Sequence, residues 1–153
     1  MPAVLIAVLF LLTGFSVWCA LGSPLWVLRL IGNRTPAPPL WIFGLLEFLA
    51  FTALGFSLGV AFGSRCFSTE VAKYKGGFYH IVGATLVFLH RLFFFKGISF
   101  FVASLTLLAG IVCLVTALLN FAKVSKISAV ILALPSLWNL YLLALTLGAL
   151  LFV

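Results

Sequence analysis

The sequence predicts an all-α, polytopic membrane protein, a bundle of five transmembrane helices forming a single domain over residues 1–153, and three observations carry that prediction. Of the 153 residues, 65% are hydrophobic and only 7% charged, more apolar surface than a soluble domain of this size can bury. Apolar runs long enough to cross a hydrocarbon core of about 30 Å occur five times. The nine Lys and Arg, set against two acids for a net charge of +7, lie between or at the ends of those runs. That is the placing of membrane anchors and not of a nucleic-acid-binding stripe. The expected solvent is therefore the lipid bilayer of an integral, multi-pass protein, and nucleic acid is not an expected partner.

The first helix is predicted over 2–22. No Lys or Arg precedes this apolar run, so it lacks the basic segment of a signal peptide and reads as a retained span. Between Ser23 and Pro39 comes a polar loop in which Trp26, Arg29 and Arg34 suit the headgroup region. Pro36, Pro38 and Pro39 fix their own φ and push each preceding residue toward extended backbone, so the second helix starts near Leu40 and runs to Gly63. It carries Trp41 at its entry and one ionisable residue, Glu47, where an apolar solvent makes charge most expensive. Gly55, Gly59 and Gly63, at four-residue spacing, make a groove for a second backbone, either in a homodimer or within the bundle.

Ser64 to Phe78, holding Arg65, Glu70, Lys73, Lys75 and the Gly76-Gly77 pair, reads as a solvent loop. The third helix is predicted over 79–95, with Tyr79, His80, Arg91 and Lys96 reaching the interfaces from its ends. Lys96-Gly97 is a tight turn. A fourth helix follows over 98–121, in which Ser99, Ser104, Thr106 and Thr116 can bond back to their own backbone. The basic turn Lys123-Val124-Ser125-Lys126 leads to the fifth helix, 127–153, with a kink expected near Pro135. Cys19, Cys66 and Cys113 form no C-x-x-C pattern and imply no metal site, and Cys19 and Cys113 read as small apolar fillers in helices.

Pro38, Pro39, Trp41, Gly44, Phe51 and Gly55 fall in step, without gaps, with the loop-to-second-helix signature of the TspO/MBR family, the tryptophan-rich sensory proteins and translocator proteins. The closing Phe93-Phe94-Phe95, the Phe101 to Ala109 segment and the Trp138-x-x-Tyr141 pattern extend the resemblance along the chain. It implies a cavity among five helices that holds a porphyrin or haem-like tetrapyrrole, or a sterol, for transport or sensing, with no required cofactor. Glu47, Phe88 and His90 stand where the family has cavity tryptophans, and Thr106 where it has an aspartate. The resemblance accordingly implies binding and not porphyrin breakdown. The ligand-binding set it implies is Trp41, Glu47, Phe51, His90, Phe94, Trp138 and Tyr141.

The residues themselves offer no Ser-His-Asp set, no paired carboxylates and no phosphate loop, so an enzyme is not expected. Aromatic side chains with two unusual polar groups in the spans suit a flat apolar ligand with a polar handle. Glu47 lies eight residues past Pro39 and His90 six before Lys96. At about 1.5 Å per residue they sit roughly 12 and 9 Å from the same membrane face, so they are expected to meet as a polar floor. Alternatively, His90 and Arg91 both reach the headgroups and Glu47 is protonated or bonded to a neighbouring helix. Two other functions stay open: an assembly subunit that docks a membrane partner along the glycine groove, and a small proton-coupled transporter relaying protons through Glu47.

Overall fold

The structure, a computed structural model, describes residues 2–21, 38–64 and 69–152. They form five helices: α1 (Pro2–Leu21), α2 (Leu40–Gly63), α3 (Glu70–Lys96), α4 (Phe100–Val124) and α5 (Lys126–Phe152). Four of these, α2 to α5, are long and apolar enough to cross a membrane, and the chain is an all-α bundle of multi-pass type. α1, with 20 residues, has a length of about 30 Å at 1.5 Å per residue, matched to a hydrocarbon core.

Several boundaries follow from local chemistry. Pro39 stands at the N-cap of α2, and its carbonyl accepts the first helical bond from Phe43 N–H at 3.0 Å. Gly97 ends α3 in the left-handed conformation, φ 60°, which glycine adopts without a Cβ penalty. Its N–H and that of Ile98 return to the Phe94 and Phe93 carbonyls. Ser99 then caps α4 by accepting from Val102 N–H. The other three hydroxyls expected to bond back within α4 do so: Ser104 to Phe100, Thr106 to Val102 and Thr116 to Val112. α5 runs unbroken through Pro135.

Two boundaries differ. α4 runs on to Val124 and α5 starts at Lys126, so the turn read over Lys123-Val124-Ser125-Lys126 narrows to Ser125. The start of the third helix moves further: it begins at Glu70 and not at Tyr79, so Glu70 to Phe78, read as part of a loop from Ser64, are helical. Gly76 and Gly77 lie inside the helix and are buried. An added Cβ on Gly76 would meet the Phe121 ring of α4 at 2.7 Å, and one on Gly77 the Phe62 ring of α2 at the same distance. These glycines are thin places where aromatic rings lie on α3, a packing use that a glycine pair shares with turns in sequence.

The helices are arranged as a ring in the order α1, α2, α5, α4, α3, with α3 closing back on α1 lightly. Phe43, Leu54, Val87, Phe94, Leu107, Leu114, Phe121, Leu132 and Leu142 are buried inside it. Large apolar side chains such as Phe48, Leu105, Val112, Val130 and Leu137 are exposed on its outside, as lipid-facing side chains are in a membrane bundle. The glycine groove is used inside the chain: the Cβ missing from Gly55 would lie 2.5 Å from Ala7 Cα in α1. Gly59 is buried. Gly63 is exposed and, among the described residues, has nothing within 4 Å of its would-be Cβ, so it takes no part in packing the described helices.

Candidate functional site

Two stripes along α3 decide which side chains meet. His80, Phe88, Arg91 and Phe95 turn toward α2, where they meet Ser57, Phe51, Glu47 and Phe43 in that order. Gly83, Val87, His90 and Phe94 turn toward α4, against Leu114, Gly110, Ala103 and Phe100. Members of each stripe lie three, four or eight residues apart, the repeat of one helical face.

The expected meeting of Glu47 with His90 therefore does not occur. Glu47 pairs with Arg91, the next residue in sequence, about 100° round the helix. Arg91 Nε donates to Oε2 at 3.1 Å and Nη2 to Oε1 at 2.9 Å, a bidentate fork of the geometry that suits guanidinium and carboxylate. Neither group is in contact with the headgroup region: Arg91 is 2% and Glu47 3% exposed. The remaining partners come from α5, where Trp138 Nε1 donates to Glu47 Oε1 at 2.8 Å and Asn139 Oδ1 accepts from Arg91 Nη1 at 3.0 Å. Asn139 is held in turn by donating to the Pro135 carbonyl, 2.8 Å away. The Arg91 guanidinium carbon also lies 5.7 Å from the centre of the Phe51 ring, within cation–π range. Phe51 is itself stacked on Phe88 at 4.9 Å.

A second polar cluster ties the same three helices at another level. Ser57 Oγ donates to the Leu54 carbonyl and lies 3.2 Å from His80 Nε2, while Ser128 Oγ of α5 donates to the Ser57 carbonyl at 2.7 Å. His80, expected at an interface, is fully buried, with Phe10 and Phe121 rings beside it. His90 is buried against α4, its Nδ1 3.1 Å from the Ala103 carbonyl and its ring stacked on Phe94.

Between α1 and α2 lies a pocket of about 440 Å³, lined by Leu11, Gly14, Leu40, Trp41, Gly44, Glu47, Phe48 and Phe51. Glu47 is the one ionisable lining residue among those described. Trp41, 71% exposed, stands on its outer side. Of the predicted binding set, Trp41, Glu47 and Phe51 share this pocket. Trp138 supports Glu47 from behind and stacks on Tyr141 at 5.3 Å. His90 and Phe94 belong to the α3–α4 interface and do not line it. Sequence reasoning missed Arg91 and Asn139. Arg91 had one signal, a long cation five residues before Lys96 with its head in reach of the depth of Glu47, but depth alone does not give azimuth.

Among the described residues no group of three or more His, Cys, Asp or Glu side chains is placed to hold a metal ion. Trp26, Arg29, Arg34, Arg65 and Cys66 lie outside the described residues, as does the side chain of Cys19. No protein-family model, no curated protein and no solved structure matches the chain.

Proposed function

We propose that the chain is an integral membrane binding protein of the TspO/MBR type, which takes a flat apolar ligand, a tetrapyrrole or a sterol, into the pocket between α1 and α2 for transport or sensing. The observation that carries this is the composition of the pocket. Seven apolar or glycine-thinned residues surround one buried carboxylate, and its volume falls in the range of about 300–1,000 Å³ of small-molecule sites. An ionisable group inside a membrane span is expensive and marks a functional position by default. Here it is held rigidly by Arg91 and Trp138, which favours recognition by a prepared surface over recognition by a mobile side chain.

Glu47 has no second carboxylate beside it in the pocket, so the lining supports binding and transport more directly than a paired acid–base reaction. The test is a titration of the purified protein with haem, protoporphyrin and a sterol, followed by tryptophan fluorescence. Saturable binding to the native protein, lost in Gly44→Leu, is expected, because the new side chain fills the pocket while leucine favours helix over glycine. Absence of saturable binding by all three, or affinities unaltered by Gly44→Leu, would remove the proposal. Co-purification of a stoichiometric membrane partner in place of ligand binding would point to the assembly role.

A further inference from the structure

We infer that the polar handle this pocket recognises is a hydrogen-bond donor, a hydroxyl or N–H on the rim of a flat apolar ligand, and not a carboxylate; this rests on the pocket being a ligand site. A carboxylate has about four lone-pair sites on its two oxygens and donates nothing when ionised. Among the described residues, three donors reach Glu47: Arg91 Nη2 and Trp138 Nε1 at Oε1, and Arg91 Nε at Oε2. Oε2 thus retains an acceptor site. The compensating cation does not line the pocket, and its Nη1 is engaged by Asn139. Arg91 is therefore directed at groups of the protein on the far side of the carboxylate.

Among the described lining residues, a ligand that reaches Glu47 meets a carboxylate and, apart from the indole N–H of the outward-standing Trp41, no side chain with a polar donor. A hydroxyl or N–H completes Oε2. A ligand carboxylate would bring like charge against Glu47 in a medium that screens it poorly. An ether oxygen would leave two acceptors facing each other without a proton between them, the costly arrangement for a desolvated polar pair.

The test uses one ring system with four handles: pyrene, pyrenemethanol, the methyl ether of pyrenemethanol and pyrenecarboxylate. Binding to the full-length protein in detergent is read by tryptophan-to-pyrene energy transfer, with the Gly44→Leu protein as the reference for partition into detergent. The alcohol is expected to bind about tenfold more tightly than its methyl ether, the scale of one hydrogen bond to a charged group, and the carboxylate more weakly than the ether. Equal affinities for alcohol and ether, or a carboxylate that binds at least as tightly as the alcohol, would overturn the inference while leaving the pocket a binding site. If none of the four, parent pyrene included, gives transfer above the Gly44→Leu reference, the binding function itself falls, and the inference with it.

Discussion

Burying Glu47 and Arg91 carries a desolvation cost, and the coupling between the two side chains can be measured. Two ions taken out of water carry a desolvation cost of several kcal/mol each, which their mutual attraction and further hydrogen bonds must offset. Removing one partner leaves the other charge buried and unpaired. Glu47→Gln and Arg91→Met are each expected to lower stability by about 3–5 kcal/mol, read as a large fall in the thermal midpoint in detergent. The double variant removes both charges and should be clearly less destabilised than the sum of the singles. Strict additivity would show that the two side chains act separately, against the 2.9 Å contact between them. The acid was legible in the sequence because a carboxylate in an apolar helix is rare enough to stand out. Its partner was not, because Arg91 sits near a helix end with Lys96, where a long cation has the cheap alternative of reaching the interface. Choosing between interface and interior needs the rotation of α3, and that is set by which stripe of α3 packs on α4.

At the level of helices, polar side chains join α2 and α3, which are not adjacent in the ring. α2 and α3 touch sparingly, whereas α3 packs extensively on α4 and α1 on α2. It is across this thinly packed α2–α3 boundary, with α5 closing the third side, that the Glu47–Arg91 and Ser57–His80 contacts run. Close packing is instead provided by glycine where backbones or rings approach, at Gly55 against α1 and at Gly76 against α4. Helix number and most boundaries were readable, since Pro39, Gly97 and Ser99 act locally. The start of α3 was not, because Gly76-Gly77 and the charges around them carry turn signals that tertiary packing on Phe62 and Phe121 overrides. The glycine series gives a paired prediction. A Cβ on Gly55 would lie 2.5 Å from Ala7 Cα and 2.7 Å from the Ile6 carbonyl oxygen, both backbone, so Gly55→Ala must push α1 from α2. It should lower the thermal midpoint although alanine is the better helix former by about 1 kcal/mol. Gly63→Ala meets no atom within 4 Å and should leave stability unchanged or slightly higher. Equal effects from the two would show that the α1–α2 contact at Gly55 is not formed.

For the molecule as a whole, the buried ion pair also bears on orientation. With five crossings, the N-terminus shares a side with the α2–α3 connection and with the α4–α5 turn, while the α1–α2 loop shares the other with the α3–α4 turn. Counted from sequence, Arg29, Arg34, Arg91 and Lys96 stand on that second side against Arg65, Lys73, Lys75, Lys123 and Lys126 on the first, a near balance. Arg91 leaves the count once it is neutralised inside the bundle by Glu47, since orientation is set by cations in the flanking segments. Three then oppose five, and the excess favours an N-terminus on the cytoplasmic side. α3 adds to the asymmetry: its 27 residues span about 40 Å, more than a hydrocarbon core needs, so the turns bearing Lys73 and Lys75 can extend beyond the core on the side expected to hold the N-terminus. The measurement is labelling of single cysteines with an impermeant maleimide, in a background from which Cys19, Cys66 and Cys113 have been replaced. Ile98→Cys, at a position exposed in the α3–α4 turn, and Ala37→Cys, outside the described residues, should react in intact cells. Thr69→Cys and Ser125→Cys should react only after permeabilisation. If Ala37→Cys and Thr69→Cys react from the same side, α2 does not cross the membrane and the five-span topology fails. If all four sites show the reverse accessibility, the five crossings stand, but the cation excess left after neutralising Arg91 does not set the orientation.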